Sequence, residues 1–278
     1  VLACSSVEAE MLHKDYGVAH DKLVVAPLLG DLQNCVADAP AHWQQRRDLC
    51  FVGGYRHPPN IDAVDQLARL WPQIRPRLQA QQNLVDEPPP CLYILGAYCT
   101  KRLQQRWYQS LLAAGGTTED VDTFRVEGFV PGPIHERLVR YRLLVAPLRY
   151  GAGLKGKLLD AMLNGTPGVT TSIGAEGMYG DLLIPGVIAD TPESFAELSV
   201  AIYSDKIKWQ QNSQRGVEII KARYNGKSIA KDFMTRLDAL KINLKLHRQA
   251  HFMGQILQHQ SLQASKYLSK WIEEKNKV

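Results

Sequence analysis

The stretch Tyr150–Val169, "YGAGLKGKLLDAMLNGTPGV", decides how the rest of this chain is read. Gly151, Gly153 and Gly156 spell G-x-G-x-x-G, the pattern of dinucleotide-binding turns. Gly151 to Lys157 also spell G-x-x-x-x-G-K, but Leu158 stands where a phosphate-binding loop needs Ser or Thr to hold magnesium. A third reading is a glycine turn that opens a helix and binds nothing. Two lysines weigh against it. Lys155 and Lys157 fall at the N-terminus of the predicted helix, where the helix dipole disfavours cations unless an anion is bound. Exposed N–H groups, glycines that admit close approach and two ammonium groups suit a multiply charged anion such as a diphosphate. Asp160, three residues beyond Lys157, can pair with it or hydrogen-bond a sugar hydroxyl near the phosphates.

Outward from this loop, strand-like and helix-like runs alternate. Strands are predicted at Leu49–Gly54, Cys91–Gly96, Thr123–Phe129, Leu143–Leu148, "GVTT" from Gly168 and Gly186–Asp190. Between them fall a helix with Ile61, Val64, Leu67, Ala68 and Trp71 on one face and Asn60 as its N-cap, and one from about Lys101 to Ala113. A short helix, "IHERLVRY", follows, then one from about Leu154 to Asn164 and one opening at Thr191-Pro192. This alternation predicts an α/β fold, a Rossmann-like parallel sheet with helices on both faces. In such sheets ligands bind beyond the carboxyl ends of the strands. A dinucleotide turn belongs after the first strand, with an acid about 20 residues on. The loop at Gly151 follows the fourth, and the next acid, Glu176, comes too late to end the following strand.

The flanks differ from this core. Residues 1–29 carry a strand, a helix with a capping box at Ser5 and Glu8, and a second strand, and read as a lead-in segment. Residues 30–204 hold the predicted sheet, and 205–278 a C-terminal helical region. There Ile229, Phe233, Leu237, Leu240 and Leu244 form an apolar stripe, and Gly254 is a predicted break. Gln79–Pro90 reads as an exposed polar, Pro-rich loop.

Composition narrows the classes. The chain has 278 residues, 45% hydrophobic and 22% charged, ordinary for a globular protein. It has no apolar run of the ~20 residues a membrane span needs, and its start does not read as a signal peptide. Five cysteines (Cys4, Cys35, Cys50, Cys91, Cys99), an odd number with no C-x-x-C pair, fit reduced thiols better than a zinc ribbon or a disulfide framework. Residues 205–278 carry 15 Lys/Arg against 6 Asp/Glu, while residues 1–204 carry 18 against 22. The reading is of a cytoplasmic protein whose basic C-terminal helices are a solvated face or a contact with anionic membrane. Aromatics do not alternate with basics as a nucleic-acid platform requires, so no nucleic-acid partner is expected. His247 and His251 have a zinc-compatible H-x-x-x-H spacing but no obvious third ligand. His57 lies in a turn at the strand edge, where it either approaches phosphates or caps a helix.

Taken together, "APLRYGAGLKGKLLDAMLNGTPGVTTSIGAEGM", "FVGGYRHPPNIDAV" and "VEGFVP" resemble the donor-binding half of family 4 (group 1) glycosyltransferases, which have the GT-B fold. The resemblance covers about Leu49 to Thr191, with residues 1–29 as the linker from an N-terminal acceptor domain. It implies two Rossmann-like domains, of which this chain carries the C-terminal one and only the last elements of the other. It further implies transfer of a sugar from a nucleotide-diphosphate sugar to a glycan or lipid-linked acceptor, with retention of configuration and no metal or other cofactor.

Residue by residue, Lys155, Lys157 and Arg56 match the basic groups near the donor diphosphate, here the candidate catalytic residues. The resemblance places the donor against Gly53, Gly54, Gly128, Phe129, Val130, Gly151, Ala152, Gly153 and Leu154. Asp160 stands where the family usually has a Glu that contacts the ribose. Ala152 stands where many members carry the first Glu of an E-x7-E pair. Glu176 matches the Glu of G-A-E-G, which contacts the donor or fixes the turn. Two other functions stay open on the sequence: a non-catalytic nucleotide-binding module and an NAD-dependent dehydrogenase.

Overall fold

All six predicted core strands form one parallel sheet in the computed structural model, which describes residues 1–31, 39–81 and 88–275. A two-residue parallel pair precedes it, β1 (Leu2–Ala3) with β2 (Val24–Val25). The sheet strands are β3 (Arg47–Val52), β4 (Leu92–Leu95), β5 (Phe124–Gly128), β6 (Tyr141–Ala146), β7 (Gly168–Thr170) and β8 (Gly186–Ile188). Their order is β5-β4-β3-β6-β7-β8. Chain order reverses between β3 and β6, whose register pairs Arg47 with Tyr141 and Leu49 with Leu143. The reversal makes that junction the switch point of a doubly wound sheet.

The strands are buried on both faces, as an all-parallel sheet requires. Leu49, Phe51, Leu92, Ile94, Leu143 and Val145 face one apolar cluster, completed by α2 (Pro58–Gln81), α3 (Lys101–Ala113) and α8 (Pro192–Ser204). Cys50, Leu95 and Leu144 face the other, with α5 (Ile134–Leu138), α6 (Gly156–Leu163) and α9 (Lys206–Arg223). The alternation along each strand follows from side chains pointing to opposite faces at successive residues. Trp71 fixes α2 by donating from its indole N–H to Thr123 Oγ1 at 3.0 Å. Thr123 ends α4 (Thr118–Thr123), a single short helix before β5. Beneath it Arg75 and Asp120 form a buried ion pair at 2.5 Å.

Local signals fare differently. Thr191 caps α8 with a full capping box, and α3 has its predicted bounds. In α1 (Ser6–Tyr16) Ser5 Oγ accepts from the Glu8 N–H, but the Glu8 carboxylate accepts from the N–H of Cys4, one residue before the cap. Asn60 is not an N-cap: α2 starts at Pro58, and Asn60 lies in its first turn with its side chain engaged elsewhere. Of the cysteines, Cys50 is buried in β3, while Cys4, Cys91 and Cys99 are half-buried free thiols. Cys35 and residues 82–87 of the Pro-rich stretch lie outside the described residues.

The first compact unit runs from Val1 to Ile229. It includes α9, whose Trp209 is fully buried and donates to the Arg142 carbonyl at 2.6 Å. The second unit, Ala230–Val278, is helical through α10 (Gly226–Ile242), α11 (Leu244–Ala250) and α12 (Phe252–Lys275). Its breaks fall at Asn243 and His251, and Gly254 sits inside α12. The predicted apolar stripe stays largely uncovered, with Leu237, Leu240 and Leu244 exposed. His247 and His251 meet edge to face, with ring centroids 4.4 Å apart. Among the described residues no three His, Cys, Asp or Glu side chains gather at one point, and no helix is long and apolar enough to cross a membrane.

Candidate functional site

At the switch point, beyond the carboxyl ends of β3 and β6, lies a cavity of about 190 Å³. One wall is the turn from β3 into α2, supplying His57, Pro59 and Asn60. The other is the turn from β6 into α6, supplying Tyr150, Gly151, Ala152, Leu154, Lys155 and Lys157. The walls lie in contact range, since a Cβ on Gly151 would stand 3.4 Å from Pro59 Cγ, and its φ of +124° is what calls for glycine there. At the mouth of α6, Lys155 occupies the N-cap position and gives no side-chain cap. No side chain caps the first N–H groups of that helix, whose first residues Gly156 and Lys157 line the cavity.

The two lysines are held differently. Lys155 Nζ donates to the carbonyls of Gly151 at 3.0 Å and Gly153 at 2.5 Å, closing the loop on itself. Burial lowers its pKa, opposed by the nearby charges of Glu176, Cys4 and Glu8. Lys157 Nζ donates to Asn60 Oδ1 at 2.6 Å and lies 4.4 Å from the centre of the Phe51 ring. The residue as a whole is half-buried, but its ammonium end sits deep. Burial, then the charge of Lys155, push its pKa down to about 7. A buried cation without a carboxylate beside it is costly, and an anion in the cavity would relieve that cost.

The other sequence-derived residues divide. Gly53 and Gly54 follow β3 beside the cavity, where Gly54 accepts from the side-chain amide of Asn60 at 2.9 Å. Arg56 is exposed and stacks on Tyr98, its guanidinium carbon 3.9 Å from the ring centre, and does not line the cavity. Its neighbour His57 does. Gly128, Phe129 and Val130 lie at the end of β5, with Phe129 71% exposed and Val130 half-buried against the core. Two strand spacings, about 10 Å, separate β5 from β3. Asp160 is half-buried in α6 and outside the cavity lining. Glu176 is exposed at the end of α7 (Ser172–Ala175). The sequence reading missed Asn60 and Phe51 as neighbours of Lys157. One was read as a helix cap and the other as strand core, and only the crossing of β3 and α6 shows their second role.

The sheet order and the cavity at its switch point define an α/β domain of the Rossmann-like class. Residues 46–205, more than half of the chain, match the family described as glycosyl transferases group 1, and the chain belongs to that family. Solved structures with the same fold include a mutant of TarM from S. aureus in complex with fondaparinux, alpha-GlcNAc-glycerol and UDP. It is 14% identical with a TM-score of 0.63, over 84% of this chain and 43% of that one. Sucrose-phosphate synthase from Thermosynechococcus elongatus is 16% identical with a TM-score of 0.63, over 87% of this chain and 58% of that one. HepE from Anabaena, in complex with UDP and glucose, is 14% identical with a TM-score of 0.62, over 86% and 63%. The chain thus spans 43% to 63% of their lengths. No curated protein matches the sequence.

Proposed function

We propose that this chain is the donor-binding half of a glycosyltransferase that moves a sugar from a nucleoside-diphosphate sugar to a glycan or lipid-linked acceptor, with retention of configuration. The observation that carries this reading is the switch-point cavity, where Lys155, Lys157 and the start of α6 converge with no carboxylate in the lining among the described residues. Breaking a glycosyl–diphosphate bond leaves negative charge on the diphosphate. Fixed ammonium and N–H groups stabilise that charge where it develops, in a site of low dielectric. On this reading the lysines do the work that a metal performs in other enzymes. The complexes of TarM and HepE contain UDP, which supports a uridine nucleotide as the first ligand to try. With the diphosphate in the cavity, a base directed along the strand ends toward Gly128 and Phe129 fits the length of a nucleotide. Arg56, exposed at the same edge, is available to a donor that extends past the cavity.

The test is titration of the chain with UDP, GDP and NAD. Binding of UDP or GDP that weakens at least about tenfold in Lys157→Ala supports the reading. Binding of NAD alone sinks it. A non-catalytic nucleotide-binding module is favoured by Ala152, which lines the cavity where many family members present a carboxylate. Sugar transfer measured on the protein with its acceptor domain separates enzyme from module.

A further inference from the structure

Asn60 is 8% exposed, and each polar part of it is committed. Its backbone N–H donates to His57 O at 3.0 Å, and its side-chain NH2 donates to Gly54 O at 2.9 Å. The remaining side-chain oxygen faces Lys157 Nζ at 2.6 Å. Turning the amide over would set two donors against each other at Lys157 and two acceptors at Gly54, so its orientation is fixed. The amide also lies flat on Gly53, where a Cβ would come within 2.6 Å of Asn60 Cγ. Nothing in this arrangement is needed to start α2, which begins two residues earlier.

We propose that Asn60 is a positioning residue for Lys157: its side-chain carbonyl aims the ammonium into the cavity without cancelling its charge. The proposal rests on the reading of the cavity as a diphosphate site. A carboxylate at this position would hold Lys157 equally well but would form an ion pair, leaving less positive potential for an anion. An apolar residue would leave the ammonium free to turn, and the geometry would have to be fixed anew at each binding event. A neutral acceptor orients the group and leaves two of its protons for the ligand. The Phe51 ring beneath the ammonium acts in the same sense, attracting the cation with no formal charge. The titratable groups around Lys157 are His57 from the β3–α2 turn, Tyr150 and Lys155 from the β6–α6 turn, and Asp160 further along α6.

The test compares UDP affinity in wild type, Asn60→Asp and Asn60→Ala across pH, above the phosphate ionisation near 6. Wild-type affinity is expected to fall as pH rises above about 7, because Lys157 must be charged to hold the diphosphate. Asn60→Asp is expected to weaken binding about tenfold or more at neutral pH and to move the fall to higher pH. Asn60→Ala is expected to weaken it about three- to tenfold. Two variants that bind like wild type with an unmoved profile overturn the proposal and leave the donor-site reading intact, provided Lys157→Ala still loses binding. Wild type that binds neither UDP nor GDP overturns both.

If the variants at residue 60 fail to fold, wild type itself decides. The Asn60 side-chain amide resonances are expected to titrate with the same midpoint as the Lys157 side chain and to shift on UDP addition. Amide resonances indifferent to both overturn the proposal.

Discussion

The carbonyl oxygen of Gly53 lies 1.8 Å from where a Cβ on Gly96 would stand. Gly53 follows β3 and Gly96 follows β4, and the two segments meet there backbone to backbone. Gly96 has φ of +147°, and its N–H donates to Gly128 O at 2.7 Å. Any side chain at residue 96 must push the β3–α2 turn away, and that turn carries His57 and Asn60. Gly96→Ala is therefore expected to destabilise the first unit by about 2–4 kcal/mol and to weaken UDP binding as well. Thermal unfolding and titration on the same sample check it. Wild-type stability in the variant would show that the turn yields freely.

Lys157 links stability to pH with an unusual sign. Its pKa in the folded chain is about 7, below the ordinary lysine value. Between those values the unfolded chain binds more protons than the folded one, so this group's contribution raises stability as pH rises from about 7 toward 10. Below pH 7 the buried charge is a standing cost. Lys157→Met is expected to gain on the order of 1–2 kcal/mol at neutral pH and to lose the extra rise above it. Denaturant unfolding of both proteins at pH 6, 7.5 and 9 provides the comparison. A gap between them that stays constant with pH counts against a shifted Lys157.

Lys155 ties the loop together rather than the two walls. Its ammonium bridges the Gly151 and Gly153 carbonyls, so its loss frees two acceptors and the turn between them. Lys155→Ala is expected to weaken UDP binding about tenfold and to speed amide exchange across residues 151–155. Lys155→Arg, unable to reproduce that compact bridge, should restore charge but not exchange protection. Unaltered exchange in the alanine variant would show that the glycines alone hold the loop.

The Arg75–Asp120 pair is buried on both sides and far in sequence from the cavity. Burial opposes the charge on Asp120, but hydrogen bonds from Arg75 and from Thr117 outweigh it and hold the carboxyl below the usual carboxylate range. Its contribution is thus present above the unfolded carboxylate pKa and is lost as pH falls through the folded one. Asp120→Ala leaves buried Arg75 with Glu119, half-exposed, as its carboxylate partner and Gln79 as a neutral one, and is expected to cost about 3–5 kcal/mol at pH 7. The difference from wild type should shrink as pH falls below the ordinary carboxylate value and through the lowered pKa of Asp120. Melting curves in steps from pH 7 down into the acid range measure it, and a difference that never shrinks refutes the assignment.

The sequence by itself determined the elements and their alternation. Apolar runs bounded by glycines, a 3.6-residue stripe on α2 and the Thr191-Pro192 start of α8 are signals carried by neighbouring residues, and they survive in any context. The sequence also marked the loop at Gly151, because lysines at a helix start are unfavourable without an anion. Tertiary structure decided what that loop faces. The order of strands places β3 beside β6, and only then does Asn60 meet Lys157 across 97 residues of chain. The same packing turns Arg56 onto Tyr98 and brings His57 to the cavity in its place. Propensity and periodicity act over a few residues. Which strand edges adjoin, and so which side chains share a cavity, depends on how whole faces of the sheet are buried at once.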